Sequence, residues 1–422
     1  MLETSAELIY QCRKALKAGD LLDPRTLRVQ HLEIETFGID AALRIFLHAV
    51  KEEAALSAFG AIITRWDILQ RLANLRRFCD EERQDPEIVA EAINAPIIIT
   101  GLPRSGTTFL QNLLAEDPDN RVLRAWQVIY PYADTRRPFA QDKRPSRFDR
   151  QIRCFNLLSP DLHKVHPLNG CSLQECTEVT AHVFQSLRFD TTYRVPSYRR
   201  WLDGHGYLAA YQFHKRFLQH LQHQGGGRRW VLKAPDHVFA LEALQAVYPN
   251  ARIVFIHRDP AKVLPSNAQL TEILRSPFTR RIDPIEIGQQ NMDDLSLGAA
   301  NMVEASRHEV FPPGQVFHLH FLDLIARPMD AVGRLYRHFR IAMKPSAAER
   351  IACTIAAKPN GGYAKNVYRP NRHGIDADEV RLRFHRYVEY FDIARESTVQ
   401  PAAAKERKYV PAAMESLRHA GL

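Results

Sequence analysis

Apolar residues in the first part of the chain recur every three or four positions. The stretch DAALRIFLHAVKEEAALSAFGAIITRWDILQRLANLRRF (residues 40–78) keeps this spacing over its whole length and contains a single glycine. A spacing near 3.6 residues is typical of helices that bury one face. The pattern therefore predicts a helical N-terminal region, residues 1–92, that packs on the rest of the protein.

From residue 96 onward, short apolar runs rich in β-branched residues alternate with helical spacing. Pro or Gly bounds these runs, which is typical of buried strands. Strands that alternate with helices predict an α/β fold, in which a mainly parallel sheet has helices on both faces. We assign this domain to residues 93–400 and a C-terminal tail or helix to 401–422. The basic stretch 134–150 is predicted to be a surface loop. The predicted strands lie in PIIIT (96–100), RWVLKAP (229–235), ARIVFIHRDP (251–260) and QVFHLHFLDLIARP (315–328).

The first of these strands runs into a glycine-containing turn, PIIITGLPRSGTT (96–108). Gly101 and Gly106 permit backbone conformations in which successive N–H groups, and the N-terminus of the next helix, point at an anion. In nucleotide triphosphatases a lysine and then a serine or threonine follow the second glycine. Here Thr107 and Thr108 take those positions, and Arg104 is the cation of the loop. The pattern predicts a P-loop-like sheet that holds a phosphate without a metal ion.

Three segments together resemble sulfotransferases that use 3′-phosphoadenosine 5′-phosphosulfate (PAPS). PRSGTT resembles the family's 5′-phosphosulfate loop. RWVLKAPDHVFALEALQAVYPNARIVFIHRDPAKVLPSNAQL resembles its second signature region, and FLDLIARPMDAVGRLYRHF resembles its later YEDL segment. The likeness spans roughly residues 96–392 and is nearest to bacterial sulfotransferases of the tyrosylprotein and heparan-sulfate type. It implies an enzyme that moves a sulfuryl group from PAPS to a hydroxyl or amine, with release of 3′,5′-adenosine bisphosphate (PAP).

The resemblance implies which residues bind PAPS. Arg258 and Ser266 would hold the 3′-phosphate, although Pro265 could kink the helix that carries Ser266. The 5′-phosphate and sulfate would contact Arg104, whose planar guanidinium suits bidentate anion binding. Lys233, at a strand end, would contact the leaving and transferred oxygens. The remaining predicted ligands of the co-substrate are Ser105, Gly106, Thr107 and Thr108 in the loop and Arg372 in the later segment RHGIDAD.

The general base is predicted within NGCSLQECTEVTAHVF (169–184). If this segment is helical, its spacings of three and four place Glu175, Glu178 and His182 on one face. Such a group can move a pKa towards neutrality, as a base requires. We rank Glu175 first, Glu178 second and His182 third, with His166 as a further alternative.

Composition adds little to this interpretation. The net charge of +9 fits an anionic ligand, but the basic residues are dispersed, so we expect no nucleic-acid partner. The six cysteines are scattered, and the N-terminus lacks the basic region of a signal peptide. No window approaches 20 consecutive apolar residues. We therefore expect a cytoplasmic protein without a membrane span. The acceptor is predicted to be a small molecule, glycan or lipid. Two alternatives are a P-loop kinase or nucleotide triphosphatase, and a non-catalytic nucleotide-binding protein.

Overall fold

A computed structural model describes residue 22 and residues 37–133, 142–158, 168–357 and 370–396. In this part of the chain five parallel strands form one sheet, in the order β2-β3-β1-β4-β5. All neighbouring strands pair in parallel, with Ile99 of β1 opposite Lys233 of β3 and Val254 of β4. The strands are β1 (Ile97–Gly101), β2 (Asn120–Val122), β3 (Arg229–Lys233), β4 (Arg252–His257) and β5 (Val316–His320).

The apolar residues of the strands alternate between two cores. Ile98, Leu232 and Ile253 face one apolar cluster, whereas Ile97 and Ile99 face another on the opposite side of the sheet. Successive side chains of a strand point to opposite faces, so a strand covered by helices on both sides must be apolar throughout. This is why the central strands β1, β3 and β4 contain unbroken apolar runs. The expected mainly parallel α/β fold is confirmed.

Helices cover both faces of the sheet and connect its strands. Those N-terminal to β3 are α1 (Ile39–Glu53), α2 (Ala58–Gln84), α3 (Thr107–Leu114), α4 (Ala125–Ile129), α5 (Arg144–Leu158), α6 (Cys176–Thr180), α7 (Leu187–Thr192), α8 (Pro196–His205) and α9 (Leu208–Gly225). Those that follow β3 are α10 (Leu241–Val247), α11 (Pro260–Arg275), α12 (Pro284–Arg307), α13 (Phe321–Ala326), α14 (Pro328–His338), α15 (Pro345–Ala357) and α16 (Ala377–Tyr390).

The described part of the N-terminal region is helical, as predicted. Leu43 and Phe46 of α1, and Leu72 and Leu75 of α2, belong to the same apolar cluster as the face of the sheet that contains Ile98. Among residues 37–133, 142–158, 168–357 and 370–396, no helix is both long enough and apolar enough to cross a membrane.

Three local features differ from the sequence-based predictions. Strand β2 was not predicted, because three residues with an arginine in the middle carry no strand pattern. The predicted loop 134–150 is helical from Arg144 onward, and residues 134–141 lie outside the described part. Helix α11 runs from Pro260 to Arg275 without a break at Pro265, although this proline lacks the N–H of a helical hydrogen bond.

Candidate active site

The turn between β1 and α3 is held in a conformation that only certain residues adopt. Gly101 has φ +142°, and a Cβ atom there would lie 2.3 Å from the carbonyl oxygen of Ile256. Gly106 has φ +93°, and its Cβ would lie 3.0 Å from Cδ2 of Phe321. Both glycines are therefore needed for the close approach of the turn to its neighbours. Arg104 itself has φ +62°, a left-handed conformation that is uncommon for a side chain of this size.

The turn contains a buried hydroxyl that lacks a partner. Ser105 is fully buried, and its Oγ forms no hydrogen bond to any described residue. Buried polar atoms almost always have a partner, so an unsatisfied hydroxyl at this position is unusual. The turn also leads directly into the N-terminus of α3, where backbone N–H groups favour an anion.

Arg104, Arg258 and Ser266 form a connected group beside this turn. Nε of Arg104 donates to Oγ of Ser266 over 3.0 Å, and Nη1 of Arg258 donates to the carbonyl oxygen of Arg104 over 2.6 Å. The guanidinium of Arg258 stacks on the ring of Phe321, with 3.8 Å between its carbon and the ring centroid. Two guanidinium groups and a hydroxyl thus lie together at the carboxyl edge of the sheet, where parallel α/β folds bind ligands.

Lys233 connects the phosphate-type turn to the segment that contains Glu175. Its Nζ donates to Oγ1 of Thr108 over 3.1 Å and forms a close ion pair with Oε1 of Glu175. The Lys233 side chain is only 3% exposed, whereas 31% of the Glu175 side chain is exposed. The ammonium group is therefore fixed inside the protein, while the carboxylate beside it can be reached by a second molecule.

Glu178 points away from this group, although it lies only three residues from Glu175. It forms ion pairs with Arg71 (Nη2–Oε2 2.7 Å) and Arg188 (Nε–Oε1 3.0 Å), and both arginines also pair with Asp67. Burial opposes ionisation of Glu178, but the two guanidinium groups outweigh it and lower the pKa of the carboxyl to about 2. The arrangement is a closed network of two cations and two anions.

His182 is buried behind the same network. Its Nε2 accepts from Nδ2 of Asn74 over 3.1 Å, and its Nδ1 lies 3.2 Å from the carbonyl oxygen of Glu178. Burial, with a further contribution from the charge of Arg71, lowers the pKa of His182 to about 3. The expectation that Glu175, Glu178 and His182 share one helix face is therefore wrong. Glu175 precedes α6 in an extended conformation, so helical spacing does not apply to it.

Arg372 and His166 were the two remaining candidates. Arg372 pairs with Glu272 of α11, with Nε of Arg372 3.0 Å from Oε2, and the structure does not bring it to Arg258 or Ser266. Its role in cofactor binding stays a prediction. His166 lies outside the described residues.

Comparison with known proteins identifies the family. A sequence model described as the sulfotransferase family matches residues 96–345, which include the phosphate-type turn, Glu175, Lys233, Arg258 and Ser266. This match covers more than half of the chain. The chain belongs to the sulfotransferase family.

This sulfotransferase is similar in sequence to curated mycobacterial sulfotransferases. The omega-hydroxy-beta-dihydromenaquinone-9 sulfotransferases Stf3 of Mycobacterium bovis and Mycobacterium tuberculosis are each 27% identical over 266 residues, which cover 59% of this chain and 64% of the relative. The match thus spans less than two thirds of the length of these curated relatives.

Solved structures share the fold over a larger part of the chain. The crystal structure of sulfotransferase STF1 from Mycobacterium tuberculosis has a TM-score of 0.74 at 28% identity, and it covers 86% of this chain and 97% of that chain. The sulfotransferase STF9 from Mycobacterium avium has a TM-score of 0.78 at 24% identity and covers 89% of this chain and 97% of that chain.

Two residues that contact the candidate site were not identified from sequence. Phe321 packs between Gly106 and Arg258, and it begins the FLDL segment, whose resemblance to the family's YEDL segment was a usable signal. Glu396 forms an ion pair with Arg258 across 138 residues of chain. No local pattern in the sequence marks such a contact.

Proposed function

We propose that this sulfotransferase moves a sulfuryl group from PAPS to a hydroxyl group of a lipid-like acceptor and releases PAP. The observation that carries the proposal is the position of Lys233. One ammonium group contacts both Thr108 of the phosphate-type turn and Glu175, the accessible carboxylate. A co-substrate held by the turn and an acceptor beside Glu175 would therefore meet at Lys233.

The residues around the turn fit the phosphates of PAPS. Arg258 and Ser266 are proposed to hold the 3′-phosphate, since both form a hydrogen bond with Arg104 of the turn. Arg104, Ser105 and the backbone from Gly106 to Thr108 are proposed to hold the 5′-phosphate and sulfate. The unsatisfied Oγ of Ser105 supports this assignment, because a phosphate or sulfate oxygen would supply its missing partner.

Glu175 is proposed as the general base. Sulfuryl transfer resembles phosphoryl transfer, in which the protein contributes mainly position and charge. The acceptor oxygen forms a bond to sulfur while the bond between sulfur and the 5′-phosphate oxygen breaks, and Glu175 takes the acceptor's proton. Lys233 forms an ion pair with Glu175 and holds its carboxyl group beside the turn before the reaction. The same ammonium can then neutralise charge that develops on the leaving oxygen.

The acceptor class rests on the relatives. Stf3 is named for a substrate that carries a hydroxyl on a dihydromenaquinone, which is an isoprenoid quinone. We propose an apolar alcohol of this kind rather than a glycan or a small polar molecule. We also propose a cytoplasmic location, because Cys171, Cys176 and Cys353 are free thiols, as a reducing compartment favours.

A transfer assay with matched acceptors tests the function. Purified protein, PAPS and an isoprenoid quinone with a terminal hydroxyl should yield PAP and the sulfate ester, detected by mass spectrometry. The methyl ether of the same quinone should yield neither product, because it has no proton for Glu175 to take. Glu175→Gln should bind PAP as the wild type does and lose turnover. Turnover retained in Glu175→Gln would reject Glu175 as the base.

A further inference from the structure

Glu396 forms a two-point ion pair with the arginine proposed to hold the 3′-phosphate. Nε of Arg258 lies 2.8 Å from Oε1 of Glu396, and Nη2 of Arg258 lies 3.0 Å from Oε2. Nη1 is already engaged with the carbonyl oxygen of Arg104. The face of Arg258 that offers parallel donors to an oxyanion is therefore occupied by a carboxylate of the same chain.

The chain reaches Arg258 through a defined turn after α16. Asp392 has φ +48°, and the N–H of Ile393 donates to the carbonyl oxygen of Val388 over 2.9 Å, which reverses the direction of the backbone at the helix end. Ile393 is buried, so the turn is anchored in the core. The three residues that follow reach the site, where the N–H of Glu396 donates to Oδ2 of Asp259 over 2.9 Å.

This contact has the chemistry of a phosphate contact. A carboxylate and a phosphate each present two oxygens to the same pair of guanidinium donors, so they compete for Arg258. The Glu396 side chain is 14% exposed and that of Arg258 is 21% exposed, so water screens the pair only in part. We propose that Glu396 is an internal competitor for the 3′-phosphate position, and that residues 394–396 must leave Arg258 before PAPS or PAP binds fully. The inference rests on the proposed function.

The size of the effect follows from the fraction of molecules in which Arg258 is free. An apparent dissociation constant is the intrinsic one divided by the fraction of protein that is competent to bind. If Glu396 occupies Arg258 in about nine molecules of ten, PAP binds about tenfold more weakly than it would without the pair. Adenosine 5′-monophosphate has no 3′-phosphate and does not need these donors, so the pair should not weaken its binding.

Calorimetric titration of the full chain with PAP and with adenosine 5′-monophosphate tests the inference. Glu396→Gln should bind PAP about tenfold more tightly than the wild type and should bind the monophosphate within about twofold of it. Glu389→Gln is the matched control, since Glu389 is an exposed glutamate at the end of α16 and its loss changes net charge equally. This variant should bind both nucleotides as the wild type does.

Hydrogen exchange supplies a readout that does not depend on affinity. Saturating PAP should speed the exchange of the Glu396 amide, because its bond to Asp259 is released while the rest of the site becomes protected. Unchanged or weaker PAP binding in Glu396→Gln, with a wild type that binds PAP, would overturn the inference and leave the proposed function standing. An equal gain for both nucleotides would also overturn it. If neither protein binds PAP, the proposed function fails, and the inference fails with it.

Discussion

Glu175 and Glu178 are separated by two residues, and the structure predicts opposite consequences when each is changed to glutamine. Glu178→Gln leaves Arg71 and Arg188 with one counter-charge, Asp67, in a mostly buried network. The fall in the pKa of Glu178 from 4.5 to about 2 corresponds to roughly 3–4 kcal/mol, at about 1.4 kcal/mol for each pKa unit. Because 20% of the Glu178 side chain is exposed, we expect a loss of ~2–3 kcal/mol in the free energy of unfolding.

The pH dependence of this loss has a defined sign. The pKa of Glu178 in the folded protein lies below its ordinary value of 4.5, so the stabilisation is present above that pH and is lost as the pH falls towards 2. The free energy of unfolding of the wild type, measured with denaturant, should therefore fall as the pH is lowered from 4.5 towards 2. The fall should be smaller in Glu178→Gln. Glu242→Gln, at an exposed position on α10, is the matched control and should behave as the wild type.

Glu178→Gln should still bind PAP, because none of its contacts reaches the phosphate-type turn. Glu175→Gln should show the converse behaviour, with a smaller loss of stability and no turnover. A Glu178→Gln protein as stable as the wild type but inactive, together with an active Glu175→Gln protein, would refute this division of roles and make Glu178 the base.

Three further variants test the turn and the lysine. Gly106→Ala should lose PAP affinity at least tenfold in calorimetry, because alanine would be strained at φ +93° and its Cβ would press on Phe321. The control Gly204→Ala, with open space around it, should bind PAP normally. Normal PAP binding by both variants would show that the turn tolerates a side chain. Ser105→Ala should unfold at the same denaturant concentration as the wild type, because the Ser105 hydroxyl has no partner among the described residues. It should bind PAP more weakly by a factor of roughly ten or more, because the hydrogen bond to a ligand oxygen is lost. Equal PAP affinity would remove Ser105 from the site. Lys233→Met should lower turnover about 10²- to 10³-fold in the transfer assay, and full activity would contradict the role given to its ammonium group.

Strands β1, β3 and β4 were predictable because each is buried on both faces. Ile97–Ile99 and the apolar residues of β3 and β4 form runs that no exposed segment would carry. The turn from Gly101 to Thr108 was predictable for a similar reason, since its backbone geometry restricts which residues fit. The short edge strand β2 is under neither constraint, and its sequence does not indicate a strand.

Side-chain direction in the Glu175 segment could not be predicted from spacing. The direction of each side chain depends on where α6 begins. The helix begins at Cys176, one residue after Glu175. Glu175 therefore contacts Lys233, whereas Glu178, inside the helix, contacts Arg71. The ranking of Glu175 as the first candidate for the base stays a prediction, which its contact with Lys233 supports. The pair of Arg258 and Glu396 depends on how α16 packs against the sheet, and such packing has no local signature.

The central claim is that the turn, Arg258 and Ser266 form a PAPS site, and calorimetric titration with PAP tests it most directly. The wild type should bind PAP, and ATP with magnesium should bind far more weakly. Arg258→Ala should lose most of the PAP affinity, while Arg252→Ala, at the opposite end of the same strand, should retain it. Binding of ATP with magnesium in preference to PAP, or equal PAP affinity in the two arginine variants, would contradict the account.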